Sequence, residues 1–270
     1  MSSIATNINA SRAEHAMTDA TELLEKSTTQ LVTGRRINSA SDDTAGMAIG
    51  SKLTSQSISL QRAMRNANEG VSMLQTADSA AGSMSQALVR MREIAVQAAT
   101  DTHSDSDRLA LDKEFTQLRE HLNTAIASTQ WNGKKMLDGS MSPVSLQIGA
   151  SSGDGHAIDM ADFSGLQALN AAGIGNRSDA LSALDAIDSS LASIDETRVK
   201  WGANMNRLVH AGDESSNVAL NLDASRSKII DADYAKATAD LAKAQILQLA
   251  GKAMLSQANQ APISVLRLLR

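Results

Sequence analysis

Apolar residues recur at alternating steps of three and four along most of this chain, which is the spacing of helices that bury one face. The longest such line covers residues 53–98 without a break in its spacing. At ~1.5 Å per residue, a helix of this extent is roughly 70 Å long, so we expect an elongated molecule. Four further lines begin at Ala10, Leu111, Leu184 and Leu241. The pattern therefore predicts a mainly α fold, an antiparallel coiled coil or helical bundle.

One segment departs from the helical pattern. Residues 138–177 are rich in glycine, and within them residues 144–148 and 156–160 alternate apolar and polar side chains. Alternation with a period of two is typical of a strand with one buried face. Since residues 151–155 between them form a turn-like sequence, we predict one small β-hairpin near residues 143–161.

The two ends of the chain carry apolar lines built largely from small residues. Small side chains bury little area, so a pair of such helices offsets its loss of entropy poorly and is expected to order on assembly with other copies. Residues 1–44 have an excess of acidic groups and residues 229–270 an excess of basic ones, which weakly favours their pairing. Self-association through both ends of one rod is heterologous and builds helical filaments when it does not close into a ring. The residues assigned to these self-assembly seams are Ala13, Met17, Ala20, Leu24 and Leu31 in the first helix and Leu247, Ala250, Met254, Ala258, Val265 and Leu268 in the last.

Composition argues against several classes of protein. The net charge is −5 and no basic tract occurs, which argues against nucleic acid as a partner. The chain has no cysteine, which excludes disulfides, zinc–thiolate sites and cysteine nucleophiles. No run of about 18 apolar residues is present, and the amphipathic ends lack the basic polar face of interfacial helices, so we expect no membrane partner. The N-terminal sequence lacks the pattern of a secretory signal peptide.

No catalytic or metal site is visible in the sequence. The five histidines have no metal-ligand spacing on one helix, and the glycines at 149–155 lack the Lys-Ser/Thr of a phosphate-binding loop. Asp42 and Asp43 are compatible with an acid pair or a cation site, but their place before the longest helix favours helix capping. We therefore expect a non-enzymatic protein with no cofactor and no metal.

Several long motifs occur in the same order as in one family. Residues 31–46 read LVTGRRINSASDDTAG, residues 89–97 read VRMREIAVQ, and residues 230–234 read IDADY. They resemble the bacterial flagellins, whose signature is L-S-S-G-x-R-I-N-S-A-x-D-D-A-A-G. The resemblance covers residues 1–138 and 178–270, nearly the whole helical part of the chain.

The resemblance implies a structural subunit that polymerises into the extracellular flagellar filament and serves motility. It implies a terminal coiled-coil domain, residues 1–43 plus 229–270, that lines the filament core, and a rod domain, residues 44–228, that carries the hairpin. The family's central variable domains are expected to be absent, because the segment between the third and fourth helical stretches is short. The alternative with the same helical ends is a hook–filament junction (hook-associated) protein. A signalling coiled coil is a rival from another class, but that class normally carries a membrane anchor.

The resemblance also implies a route of export and a set of partners. The chain is expected to leave the cell unfolded through the flagellar type III apparatus, without a cleaved signal peptide. An export chaperone that holds the C-terminal segment, a filament cap and hook-associated proteins are the implied partners beside further copies of the chain. In some flagellins a Toll-like receptor reads the region that corresponds to Arg90, Ile94 and Glu114, and we expect receptor contact at these residues.

Overall fold

Helices make up most of the protein in a computed structural model of the chain. The structure describes residues 6–166, 169 and 172–268, with the backbone alone for residues 261–268. The helices are α1 Ile8–Thr33, α2 Thr44–Ala98, α3 Asp105–Ser128, α4 Arg177–Ile230 and α5 Tyr234–Leu268. The strands are β1 Gln130–Trp131, β2 Lys134–Lys135, β3 Val144–Gln147 and β4 Gly155–Ile158. The predicted mainly α fold with a small hairpin is confirmed.

Two compact units divide the chain. The terminal unit contains residues 1–55 and 221–270, and the central unit contains residues 56–220. The sequence-based boundaries at residues 43 and 229 follow the breaks between helices, whereas these units assign the start of α2 and the end of α4 to the terminal unit. The division into a filament-core domain and a rod domain stays a prediction.

In the terminal unit, α1 and α5 pack against each other in antiparallel directions. The Asn7 side-chain amide donates to the Ala258 carbonyl at 2.8 Å, and the Tyr234 hydroxyl donates to the Leu31 carbonyl at 3.1 Å. The helix α1 ends at Gly34, whose φ of 70° is the left-handed conformation that glycine adopts without strain. None of the helices in the described part of the chain is long and apolar enough to cross a membrane.

The central unit is built around α2, α3 and α4. The line of residues predicted to face inward on α2 is buried or half-buried from Ser57 to Ala98, and on α4 the side chains of Ile187, Trp201 and Leu208 are fully buried. The Trp201 ring packs edge-on against Phe163, with 6.3 Å between ring centroids. The core therefore has a few large side chains among many alanines and methionines.

Two ion pairs of opposite polarity join α2 to α4. Arg92 of α2 lies 2.8 Å from Asp188 of α4, and Asp78 of α2 lies 2.7 Å from Arg198 of α4. These pairs are accessible to solvent, so each contributes little to stability. Their order along the two helices shows that α2 and α4 run antiparallel.

The predicted hairpin is formed by β3 and β4. Val144 lies opposite Ile158 in an antiparallel register. Leu146 of β3 reaches the backbone of Gly70 on α2, and the Asn66 side chain of α2 donates to the Gln147 carbonyl at 2.9 Å. The hairpin is therefore part of the central core and not an appendage.

A second, shorter hairpin follows α3, and the apolar pattern does not predict it. Its strands β1 and β2 pair Gln130 with Lys135. The turn residues Asn132 and Gly133 have φ values of 49° and 78°, as the Asn-Gly turn of a tight hairpin requires. The Asn-Gly pair is the available sequence signal, because strands this short show no alternation.

Candidate assembly surface of the terminal unit

The seam predicted on α1 lies against α5 within one chain. Ala20 is 2% exposed, and the buried line continues at Ser27. Met17 lies 3.5 Å from the position that a Cβ on Gly251 would occupy, so the two helices approach closely there. The members of the predicted line, all buried or half-buried, are Ala13, Met17, Ala20, Leu24 and Leu31.

On α5 the buried line differs from the predicted one. The predicted line passes from Ala244 to Leu247 and then to Ala250, each time by three residues. Each step of three residues moves the line by about 60° around the helix, away from the buried face. The structure instead follows alternating steps of three and four from Ala244, through Gln248 and Gly251. The buried or half-buried line consists of Ala237, Leu241, Ala244, Gln248, Gly251, Leu255 and Ala258.

Several further apolar side chains of α5 lie outside the buried line and are exposed. Ile246 and Leu249 are each 67% exposed, Met254 is 62% exposed and Leu247 is 45% exposed. Ala250 lies among them and is also exposed. We call these five residues the α5 band. Of the remaining predicted seam residues, Ala258 is half-buried, while the side chains of Val265 and Leu268 lie outside the described part of the chain.

The connection from α1 to α2 is hydrogen-bonded to the connection from α4 to α5. Residues 34–36, between α1 and α2, run beside residues 230–232, between α4 and α5, as an antiparallel bridge. The Arg36 N–H donates to the Ile230 carbonyl at 2.6 Å, and the Ala232 N–H donates to the Gly34 carbonyl at 2.9 Å. We call these two short segments the strap. Sequence reasoning missed the strap, because backbone hydrogen bonds between distant residues leave no side-chain pattern.

Asp43 caps α2 as predicted, whereas Asp42 closes the turn before the helix. The Asp42 carboxylate accepts hydrogen bonds from the backbone N–H groups of Asn38 at 3.1 Å and Ser39 at 3.0 Å. These bonds lower the pKa of Asp42 to about 2. The Asp43 carboxylate accepts from the Gly46 N–H at 2.8 Å. Throughout the residues that the structure describes, no group of three His, Cys, Asp or Glu residues could hold a metal ion.

The three residues predicted for receptor contact lie in the central unit and differ in accessibility. Arg90 of α2 is exposed and lies 2.8 Å from Glu114 of α3, whose side chain is 45% exposed. Arg90 also lies 2.9 Å from Glu93. Ile94 is 1% exposed, so a partner at this surface reaches the ion pair but not the Ile94 side chain.

Two family models match the chain on either side of its glycine-rich segment. The model of the bacterial flagellin N-terminal helical region matches residues 4–142, and the model of the C-terminal helical region matches residues 184–269. Together they include the terminal helices, the strap and most of the central unit.

Individual relatives and solved structures that resemble the chain are also flagellar proteins. A flagellin of Halalkalibacterium halodurans is 42% identical over 249 residues, which cover 91% of this chain and 92% of the relative. Flagellin A of Vibrio cholerae is 32% identical over 98% of both chains. The crystal structure of Bacillus cereus flagellin is 30% identical with a TM-score of 0.52, and the match covers 56% of this chain and 88% of that one. A flagellar hook-associated protein from Vibrio parahaemolyticus gives a TM-score of 0.61 over 70% of this chain and 100% of its own, at 16% identity, which is a likeness of fold alone.

Proposed function

Because the chain belongs to the bacterial flagellins, whose copies polymerise into the flagellar filament outside the cell, we propose that its α5 band forms a contact between copies. The proposed role is structural and involves no catalytic step, cofactor or metal. Within one chain, the predicted α1 seam pairs with the buried line of α5. The predicted seam residues Leu247, Ala250 and Met254 then serve the contact with other copies, and Val265 and Leu268 are proposed to extend it.

The position of the α5 band supports this division. Its residues lie outside the line that packs against α1, so pairing within the chain leaves them accessible. Ile246 and Leu249 each leave 67% of their surface exposed, and covering a large apolar side chain contributes about 1–2 kcal/mol. Apolar patches of this kind on a protein surface commonly mark sites of association.

A pair of double variants tests the α5 band. Ile246→Ser with Leu249→Ser removes two band residues, and Gln245→Ser with Lys252→Ser changes two exposed residues on the flanks of the same helix. Each variant is added as monomer to sheared filament seeds in ammonium sulfate, which strengthens apolar burial, and is examined by negative-stain electron microscopy. We expect filaments from the flank variant and the parent, and none from the band variant at the same salt concentration.

Circular dichroism of the monomers provides the control for folding. All three proteins are expected to have the same helix content, because none of the four substituted side chains belongs to the buried line. Filament growth of the band variant at the rate of the parent would contradict the proposal.

Export through the flagellar type III apparatus, unfolded and without cleavage of a signal peptide, is a further part of the proposal. Its proposed partners are an export chaperone, a filament cap and hook-associated proteins. Family membership supports these partners, and the α5 band gives a chaperone an apolar surface on a free subunit. N-terminal sequencing of subunits from sheared filaments tests the export route. A start at residue 1 or 2 is expected, and a start after a long missing segment would contradict it.

Recognition by a Toll-like receptor is proposed for the accessible pair Arg90 and Glu114. Reporter cells that respond to soluble flagellin are expected to respond to the monomer and to lose much of that response with Arg90→Ala. The matched control is Arg92→Ala, because Arg92 is also exposed on α2 and also forms an ion pair. A silent parent monomer, or equal losses for both variants, would contradict a specific role for Arg90.

A further inference from the structure

The methionines of the chain differ widely in their access to solvent. In the central unit, five methionines are 5% exposed or less: Met73, Met84, Met91, Met136 and Met160. In the terminal unit, Met47 at the start of α2 is 43% exposed and Met254 on α5 is 62% exposed. The other methionines whose side chains the structure describes are half-buried. Among the described methionines, Met254 is therefore the most accessible.

Met254 lies on one line of α5 together with Leu247 and Ala250. The three residues follow one another by three and then four positions, which places their side chains along one side of the helix. Leu247 is 45% exposed, and Ala250 is also exposed. A polar group at Met254 would therefore fall within the apolar surface of the α5 band, whereas Met47 lies on a different helix.

The thioether sulfur of an accessible methionine reacts with peroxides. A lone pair on Sδ attacks one oxygen of hydrogen peroxide, an S–O bond forms and the O–O bond breaks. The sulfur is oxidised by two electrons and the peroxide is reduced. The proton on the transferred oxygen passes to the departing oxygen, which leaves as water. The product, methionine sulfoxide, is polar, and burying its oxygen without a hydrogen-bond donor is unfavourable.

Burial decides which methionines a peroxide reaches. The reaction requires access to the sulfur, and the five buried methionines of the central unit are shielded by close packing while that unit stays folded. Peroxide is therefore expected to modify Met254 while the core of the central unit remains intact.

We propose that Met254 is an oxidation site at which peroxides block the assembly of free subunits without unfolding the central unit. The inference rests on the proposed function, because it requires the α5 band to contact other copies. In a filament, a neighbouring copy covers Met254 and protects it. Peroxide therefore acts on subunits before they are incorporated, and it leaves completed filaments intact.

Peptide mass spectrometry locates the oxidation. Full-length free subunits and assembled filaments are treated with the same concentration of hydrogen peroxide and digested at successive times. In free subunits, we expect Met254 to gain one oxygen atom faster than Met84. We also expect Met254 to react more slowly in filaments than in free subunits. Equal rates in either comparison would overturn the proposal.

Growth of treated subunits on sheared filament seeds measures the consequence. All compared proteins carry Met17→Leu, because Met17 lies 3.5 Å from the position of a Cβ on Gly251 and its oxidation would disturb the packing of α1 on α5. Peroxide is expected to raise the subunit concentration required for growth by about tenfold, since a large apolar contact is lost. Adding Met254→Leu, which keeps an apolar side chain but has no sulfur, should abolish this sensitivity.

Met47→Leu in the same background is the matched control, because it also removes an exposed methionine of the terminal unit. It should leave the sensitivity to peroxide unchanged. Urea unfolding followed by tryptophan fluorescence should give the same midpoint for the central unit before and after treatment. Sensitivity that persists with Met254→Leu, sensitivity that Met47→Leu abolishes, or a lowered midpoint would each overturn the proposal.

Met254→Gln separates this proposal from the proposed function. Glutamine places a polar group near the position of the sulfoxide without any oxidant, so it is expected to raise the concentration required for growth by about tenfold. Growth of Met254→Gln equal to that of the parent would show that Met254 makes no contact between copies, and both proposals would fail at this residue. Impaired growth of Met254→Gln, with no oxidation of Met254 in free subunits, would support the contact and overturn the oxidation site alone.

Discussion

Gly70 is the point at which the hairpin and two helices meet, and replacing it by alanine tests how tightly they pack. A Cβ at this position would overlap the terminal methyl group of Leu146 in β3 and would lie 2.9 Å from that of Leu208 in α4. Leu208 is fully buried, so it has little freedom to move. Leu146 is half-buried and is therefore the side chain that must give way.

Two opposing terms set the size of the effect. Alanine is favoured over glycine inside a helix by about 1 kcal/mol. Overpacking at a filled core position destabilises by about 1–3 kcal/mol, and displacing Leu146 also returns part of its apolar surface to water. We expect Gly70→Ala to lower the free energy of unfolding of the central unit by about 1–2 kcal/mol.

Gly202 in α4 provides the matched control. Among the described residues, no heavy atom outside its own helix neighbourhood lies within 4 Å of a Cβ at this position. Gly202→Ala should therefore show the helix-propensity gain alone, a stabilisation of about 0.5–1 kcal/mol. The same substitution is thus expected to have opposite signs at two positions in helices of one unit.

Urea unfolding of the monomer, followed by tryptophan fluorescence, measures both variants. Trp131 and Trp201 both lie in the central unit, so the signal reports that unit. With a slope of about 2 kcal/mol per M urea, the two midpoints should differ by about 1 M. Leu146→Ala in the Gly70→Ala background should restore part of the loss. A Gly70→Ala midpoint at or above that of the parent would refute the packing argument.

Two further predictions concern the connections that precede and follow α2. Arg108 donates to the carbonyls of Ala98 and Thr100 at 3.1 Å each, so Arg108→Ala should destabilise the central unit by about 1–3 kcal/mol. Arg108→Lys should recover little of this, because an ammonium lacks the guanidinium fork; equal midpoints for Arg108→Lys and the parent would contradict this. The folded pKa of Asp42, about 2, lies below the value of about 3.9 in an unfolded chain, so its stabilisation is present above pH ~4 and is lost as the pH falls through about 2. Asp42→Asn should therefore speed exchange of the Ser39 amide at pH 5 and have little effect near pH 2, and an effect independent of pH would contradict the assigned cause.

Helical lines could be predicted from the sequence where large side chains repeat. On α4, Ile187, Ile194, Trp201 and Leu208 recur every seven residues, and all four are fully buried. Large apolar side chains are favourable in the core and unfavourable in water, so their spacing shows directly which face of the helix is buried. The hairpin was also predictable, because its strands alternate apolar and polar residues.

On α5 the apolar pattern alone did not show which residues face α1. On α5, Leu247 is more apolar than Gln248, yet Gln248 lies on the buried line and Leu247 is 45% exposed. The rule that apolar residues face inward presumes a single chain, so it does not separate the residues that face α1 from large apolar residues elsewhere on the helix. Ile94 shows the opposite case: the resemblance favoured a receptor contact, although its spacing from Met91 and Ala98 places it on the buried face of α2.

The distribution of side-chain size in the terminal unit bears on why these helices suit a polymer. The face between α1 and α5 holds Ala20, Ala244 and Gly251, while Ile246 and Leu249 lie outside it. A self-sufficient pair of helices would have the reverse arrangement, because burial of a leucine stabilises more than burial of an alanine. The large apolar side chains of Ile246 and Leu249 are thus left to be covered from outside the chain. Such a helix pair is expected to be marginally stable in a free subunit and more stable in a filament. Its stability should therefore rise with the concentration of copies.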